Sequence, residues 1–102
     1  MDRVYEIRYS ELFYKDLISI LNYIKYELSN EAANTLFDKV INEISKRAIN
    51  PTSFEKYKSN RMRKNTYYRI YVNNCTIFYI VKDNVMEVRR MLYSKRNFKK
   101  IM

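Results

Sequence analysis

The side chains best suited to chemistry are concentrated near the end of the chain, in the stretch RRMLYSKRNFKK. Arg89 and Arg90 precede the short run MLY, and four further basic residues follow it: Lys95, Arg96, Lys99 and Lys100. Guanidinium and ammonium groups bind phosphates and carboxylates. The cluster is therefore compatible with a solvating tail, a nucleic-acid contact, an anchor for an acidic partner or part of a catalytic site.

The composition excludes several kinds of catalytic site. The chain has 102 residues and contains neither histidine nor glycine. Without histidine there is no Ser-His or Cys-His pair, and without glycine there is no glycine-rich phosphate loop. The single cysteine, Cys75, allows no internal disulfide and suits a reducing, cytoplasmic environment. We expect no metal and no cofactor, and no membrane contact, since no apolar run approaches about 18 residues.

Positive charge is unevenly distributed along the chain. The formal net charge is +9, from 20 Lys and Arg against 11 Asp and Glu. Residues 1–50 carry seven basic and eight acidic side chains, whereas residues 51–102 carry thirteen basic and three acidic ones. Solubility does not require that asymmetry, so we expect the second half to bind an acidic or polyanionic partner.

The apolar periodicity predicts a single α+β domain over residues 1–102. Residues 4–9 alternate as a half-buried strand, and Ser10 is a good N-cap for a helix over 11–28. A second helix follows the break at Ser29 and ends before Pro51. The predicted stripes are Phe13, Leu17, Ile20, Leu21, Ile24 and Leu28 in the first helix, and Ala33, Leu36, Phe37, Val40, Ile41 and Ile44 in the second.

Three runs rich in β-branched and aromatic residues complete the chain after an irregular basic segment. They are TYYRIYV, CTIFYIV and VMEVRRMLY, separated by the turn sequences NN and KDN. The element order is then β-α-α-β-β-β. We predict a two-helix antiparallel hairpin packed on one face of a four-stranded, mainly antiparallel sheet, whose other face is partly open.

Alternation along the last three strands divides their side chains between two faces. The sets that contain Ile70 and Ile77 are assigned to the core, because Arg69 and Thr76 belong outside. The third strand is ambiguous, since its apolar set includes an arginine. The assignment for that strand puts Met86, Val88, Arg90 and Leu92 inward, and Glu87, Arg89, Met91 and Tyr93 outward.

The stretch YYRIYVNNCTIFYIV, with EVRRMLYSKRN after the next turn, resembles the RelE/ParE toxin superfamily of type II toxin–antitoxin systems. In that family the pattern R-x-L-Y/H-x-x-R-D/N follows a strand near the C-terminus, and it is matched here by Arg90, Leu92, Tyr93, Arg96 and Asn97. The first helix is also similar, with Asp16-Leu17 before Tyr23-Ile24. The resemblance covers essentially the whole chain and includes the order of the elements.

The resemblance implies one of two activities, and the residues at the site, not the fold, must distinguish between them. RelE-type members are ribosome-dependent endoribonucleases that cut mRNA, whereas ParE-type members poison DNA gyrase without a known catalytic centre of their own. RNA cleavage needs a base, an acid and stabilisation of a phosphorane. The RelE-like alternative would give catalytic roles to Arg69, Arg96 and Lys95. Because Tyr67 and Thr76 stand where basic residues are expected, the ParE-like branch is favoured.

The resemblance also implies surfaces for the target and for a cognate acidic antitoxin, together forming a hetero-oligomer. The candidate contacts are Tyr67, Arg69, Tyr71, Arg89, Arg90, Tyr93, Lys95 and Arg96. A basic loop could extend them into a rim through Lys58, Arg61, Arg63 and Lys64. The target would be DNA gyrase or, alternatively, the ribosome with mRNA.

Simpler interpretations of these residues stay open at the level of the sequence. Arg69 would serve equally well as an exposed strand arginine, and Arg90 as a structural bridge to an acidic helix residue. The basic loop would serve as a solvated loop. A third functional hypothesis is a non-toxic module that binds nucleic acid through its charge, although no recognised RNA-binding motif supports it.

Overall fold

The computed structural model describes residues 4–54, 56–57 and 66–94. Strand β1 (Glu6–Tyr9) leads into helices α1 (Glu11–Glu27) and α2 (Asn30–Arg47), followed by a 3-10 turn (Pro51–Ser53) and strand β2 (Lys56–Tyr57). Three longer strands follow: β3 (Tyr67–Val72), β4 (Cys75–Lys82) and β5 (Val85–Tyr93). The predicted fold class is confirmed, and β2 is a two-residue addition within the segment predicted as irregular.

The strands form one mixed sheet in the order β1-β5-β4-β3-β2. β1 runs parallel to β5, with Tyr9 opposite Val88 as its last pair, and the other neighbours are antiparallel. The first strand of the chain thus lies beside the last one. Because β1 is only four residues long, the second half of β5 extends beyond it.

Both helices begin at a serine that caps them. The Ser10 Oγ accepts a hydrogen bond from the Phe13 N–H at 3.0 Å, and the Ser29 Oγ accepts one from the Ala32 N–H at 3.0 Å. Each cap satisfies an amide that has no partner inside its helix. Only Leu28 and Ser29 lie between the helices, so the hairpin predicted from the short link is present.

The chain makes its tight turns without glycine. Asn73 and Asp83 take left-handed φ values of 53° and 57° in the turns after β3 and β4, and Asn50 takes 56° before Pro51. Asn and Asp tolerate this region best among residues with a Cβ, because their short polar side chains bond to nearby backbone. Both predicted turns are confirmed.

The hydrophobic core lies between the helix hairpin and one face of the sheet. Most of the two predicted stripes is buried: Phe13, Leu17, Ile20, Ile24, Ala33, Leu36, Val40 and Ile44. Leu28 is 71% exposed and Phe37 is also exposed, so their inclusion in the stripes was wrong. Leu28 falls just past the end of α1, where the backbone is no longer helical. In the described ranges, neither helix combines the length and apolar character needed to cross a bilayer.

Strand β5 contains a β-bulge at its two arginines. Phe78 pairs with Arg90, but the next residue of β4, Tyr79, pairs with Val88. Arg89 therefore has no partner of its own in β4. An extra residue of this kind breaks the alternation of side chains between faces.

The bulge overturns the face assignment of the end of β5. Met91 and Tyr93 were expected outside, yet both are buried in the core cluster, and Leu92 is not part of it. Up to Val88 the predicted alternation holds. Beyond the bulge it is reversed, because one additional residue shifts every later side chain to the opposite face.

Cys75 gives a pH-dependent test of this packing. It is buried at the start of β4, and burial raises the pKa of its thiol from the ordinary 9.0 to about 11. A raised pKa in the folded state means that the stabilising contribution is complete below about pH 9 and is lost as pH rises towards 11. We predict that this group removes up to about 2 kcal/mol of unfolding free energy by about pH 10.5.

Urea unfolding of the wild type and of Cys75→Ala, repeated from about pH 8 to about pH 10.5, measures this contribution. The variant should be less stable at neutral pH, because it leaves a cavity, but its stability should fall less steeply. Equal slopes for the two proteins would contradict the prediction.

Candidate functional site

The face of the sheet opposite the helices carries the predicted site residues of β3. We call it the outer face and define it by the side chains that alternate with the core: Tyr67, Arg69, Tyr71, Thr76, Phe78, Ile80, Glu87, Arg89 and Leu92. Tyr71 is 63% exposed and Ile80 is only 3% exposed, while the others are half-buried. The outer face is thus a partly covered, mixed aromatic and charged surface.

Arg69 lies in the middle of this surface, opposite Phe78 on β4. Its guanidinium carbon is 5.4 Å from the centre of the Tyr71 ring, within the range of a cation–π contact. Tyr67 lies on the same face two residues earlier. The structure therefore brings three predicted contact residues together on β3, with aromatic rings beside a cation.

Arg47, at the end of α2, supports the strand that carries Arg69. One Arg47 Nη atom donates to the Arg69 carbonyl at 2.8 Å and to the Tyr79 hydroxyl at 3.3 Å. The Tyr79 hydroxyl in turn donates to the Pro51 carbonyl at 2.7 Å. The Arg47 guanidinium carbon also lies 3.7 Å from the centre of the Phe54 ring. This network ties α2, β3 and the segment before β2 together.

The same network sets the state of the Tyr79 hydroxyl. Burial raises the pKa of Tyr79, and the hydrogen bond and charge of Arg47 offset part of that effect. Tyr79 also stacks on Tyr68, with ring centres 5.2 Å apart. Tyr79 is thus a neutral structural hydroxyl. The sequence analysis missed Arg47, and its only signal was a basic residue in the last turn of a helix.

The two arginines of the bulge have different partners. Arg89 forms an ion pair with Glu87, two residues earlier on the outer face. Arg90 instead reaches α1, where its Nε donates to the Asp16 Oδ2 at 2.7 Å and its Nη2 to the Oδ1 at 3.2 Å. This two-point contact raises the pKa of Arg90 further. Arg90 forms the structural bridge that the sequence allowed, and its role as a contact for a partner stays a prediction.

Tyr93 also leaves the outer face. It was expected to point outward as a contact residue, but the reversed alternation after the bulge buries it against α1. Its ring meets Tyr23 edge-on, with centres 5.9 Å apart, and burial raises the pKa of its hydroxyl. The outward face assignment of Tyr93 was therefore wrong, and its role as a contact stays an untested prediction.

Six of the predicted site residues lie outside the described residues. They are Lys58, Arg61, Arg63, Lys64, Lys95 and Arg96. Within the described part, the sequence-predicted contacts that share the outer face are Tyr67, Arg69, Tyr71 and Arg89. They offer cations and aromatic rings, with Glu87 paired to Arg89, which is an arrangement suited to binding an anionic group.

A shallow depression of about 310 Å³ lies where the helix hairpin meets the turn after β3. Its lining in the described residues is Ile24, Leu28, Ala32, Thr35, Leu36, Asn73, Asn74 and Tyr93. None of these side chains is charged. Among the described lining residues there is therefore no cation and no carboxylate for phosphodiester chemistry, and Tyr93 is the one side chain that could act as an acid or base.

Comparison with known proteins gives the family. Residues 7–98 match the family model of the ParE toxin of type II toxin-antitoxin system, parDE. Among solved structures, the chain is similar to "Chromosomal ParDE TA system from P. aeruginosa", with a TM-score of 0.75 and 10% identity over 90% of this chain and 98% of that chain. A second similar structure is "Crystal Structure of RelB-RelE antitoxin-toxin complex from Methanococcus jannaschii", with a TM-score of 0.45 and 25% identity over 86% of this chain and 91% of that chain. Curated proteins give no match.

The family match spans nearly the whole chain, including both helices and the strands that form the outer face. This chain belongs to the ParE toxin family of type II toxin–antitoxin systems. The expectation of a RelE/ParE-type toxin drawn from the sequence is confirmed.

Arg47 can be tested by substitution. We predict that Arg47→Gln lowers the free energy of unfolding by about 1.5–3 kcal/mol, because the Arg69 carbonyl and the Tyr79 hydroxyl lose a charged donor. The neighbouring Lys46→Gln is the matched control, since Lys46 makes only an exposed ion pair with Glu43. Its effect should stay within about 0.5 kcal/mol. Denaturant unfolding measures both, and equal effects would count against the network.

Proposed function

We propose that this protein is the toxin of a type II toxin–antitoxin module and slows growth by a ParE-like action on DNA gyrase. The observation that carries the proposal is the family match over residues 7–98. The chemistry of the outer face supports the non-catalytic branch of the wider superfamily. In this proposal the outer face is a contact surface and performs no covalent step.

The groups on the outer face favour binding over RNA cleavage. A nuclease without histidine would need lysine, tyrosine or a carboxylate as base and acid, with cations placed around the phosphate. Tyr67 and Thr76 occupy the two strand positions where further cations were expected, and Glu87 is engaged with Arg89. Arg69 beside Tyr71 can bind a carboxylate or a phosphate without reacting with it.

The partner that neutralises the toxin is proposed to be an acidic antitoxin. The net charge of +9 and its concentration in residues 51–102 would attract an acidic segment over long range. Lys95, Arg96 and the basic loop of Lys58, Arg61, Arg63 and Lys64 supply much of that charge. The solved P. aeruginosa relative is itself described as a ParDE toxin–antitoxin system.

The first test is induced expression in bacteria. We predict that the protein alone arrests growth, that purified protein inhibits gyrase supercoiling, and that cleaved DNA accumulates. Primer extension on cellular mRNA should show no cuts positioned by codon. Such cuts would instead assign the RelE-like nuclease activity, and normal growth with folded protein present would overturn the toxin proposal.

The second test concerns the basic cluster after β5. We predict that reversing Lys95 and Arg96 to glutamate abolishes growth arrest, because Arg96 stands at the family's R-D/N position. Unfolding free energy should change by no more than about 0.5 kcal/mol if these charges are exposed. Antitoxin affinity should also weaken and lose part of its salt dependence.

The matched control is the reversal of Lys99 and Lys100, which changes the net charge by the same amount four residues further on. It should reduce growth arrest much less. Full toxicity and unchanged antitoxin affinity in the Lys95/Arg96 variant would show that the cluster only solvates the end of the chain.

A further inference from the structure

At the β-bulge, β5 contains one residue more than the facing segment of β4. With regular alternation and no bulge, Met86 and Val88 would fall on the core side, but Met91 and Tyr93 would fall on the outer face. These four are buried nevertheless, so the bulge absorbs the extra residue and keeps the core intact. Because the sequence reads Arg89-Arg90, the extra residue gives this position a second arginine. The fold therefore accommodates two guanidinium groups where a regular strand would place one.

The bulge lies where β5 loses its neighbour. The last bond from the β1 side is Ser10 N–H to the Val88 carbonyl at 2.9 Å. Beyond Val88, backbone groups on that edge of β5 need other partners. Side chains of α1 and its cap supply them: the Ser10 hydroxyl donates to the Arg89 carbonyl at 2.7 Å, and the Met91 N–H donates to the Asp16 Oδ2 at 3.0 Å.

Asp16 therefore has two separate roles at the bulge. Its carboxylate binds the Arg90 guanidinium at two points, and it accepts the backbone N–H of Met91. The Asp16 side chain is 16% exposed, whereas that of Arg90 is 46% exposed. The first role turns Arg90 towards α1. The second fixes the backbone immediately after the two arginines, while Ser10 fixes it immediately before Arg90.

We propose that Asp16 and Ser10 are positioning residues that hold Arg89 on the outer face, where its guanidinium contacts an anionic group of the target. Arg89 pairs with the Glu87 carboxylate on the outer face and both side chains are about one third exposed, so an anion of the target would share or replace this internal partner. This inference rests on the proposed function, because its test measures toxicity. The geometry of the bulge itself depends only on the hydrogen bonds from Ser10 and to Asp16, whatever the function is.

Two substitutions remove the same ion pair but differ in what they do to the backbone. Asp16→Ala removes both the Arg90 partner and the acceptor for Met91. Arg90→Gln removes the cation and leaves the Asp16 acceptor in place. Ser10→Ala is less informative, because Ser10 also caps α1. Arg89→Gln is the third variant, since it removes the proposed contact and leaves both backbone anchors.

Two measurements separate the roles. Amide hydrogen exchange of Met91, followed by NMR in the full chain, reports whether the bulge is held. The inducer concentration that halves the growth rate reports toxicity. Asp16→Ala should speed Met91 exchange and weaken toxicity, each on the order of tenfold, the loss of one charge-assisted hydrogen bond. Arg90→Gln should lose less thermal stability than Asp16→Ala, because Met91 keeps its acceptor, and it should keep slow Met91 exchange and most of its toxicity.

The third variant, Arg89→Gln, should be about as weakly toxic as Asp16→Ala, with Met91 exchange unchanged. Equal toxicity of Asp16→Ala and Arg90→Gln would show that Asp16 acts only through stability and would overturn the positioning role. Unchanged Met91 exchange in Asp16→Ala would overturn it as well. Full toxicity of Arg89→Gln would refute the outer-face contact, whereas a non-toxic wild type would refute the proposed function and leave the exchange result standing.

Discussion

The rest of the structure depends on how the backbone of β5 is satisfied after β1 ends. Up to Val88 the strand has neighbours on both sides, and beyond it β4 is its one strand neighbour among the described residues. Unpaired backbone groups beside a core are costly, so α1 supplies Ser10 and Asp16 as side-chain partners. The same helix buries Phe13 and Leu17 in the core. The packing of α1 and the path of β5 are therefore fixed by one set of contacts.

A second polar anchor secures α2 on the same face of the sheet, at β3 near the edge opposite β1. Arg47 donates to the backbone of β3 and to Tyr79, as Asp16 accepts from the backbone of β5. In each case a charged side chain near the core forms a hydrogen bond with the backbone of a strand. Such a bond constrains the orientation of the helix relative to the strand as well as their separation. The two anchors hold β3 and β5, the strands that present Arg69 and Arg89. Helix packing on the inner side thereby determines the arrangement of charge on the outer side.

The sequence predicts most of this fold because its local signals agree. Ser10 and Ser29 mark the helix starts, the Asn and Asp turns mark the strand ends, and alternation places Ile70 and Ile77 in the core. The prediction from alternation fails at the bulge because the sequence does not show that Arg89 is an extra, unpaired residue in the strand. Tyr93 was misplaced for that reason. Arg47 was missed because its partners, the Arg69 carbonyl and Tyr79, are distant in sequence.

The net charge is distributed unevenly between the described residues and the rest of the chain. The described residues carry eleven basic and nine acidic side chains, and the remaining ones carry nine basic and two acidic. Most of the net charge of +9 therefore belongs to residues outside the described ranges. The described arginines at the helix–sheet contacts already have partners, Asp16 for Arg90 and backbone for Arg47. Under the proposed function, most of the charge that attracts an acidic partner over long range would lie outside the described residues, so changing it would leave the described ion pairs in place.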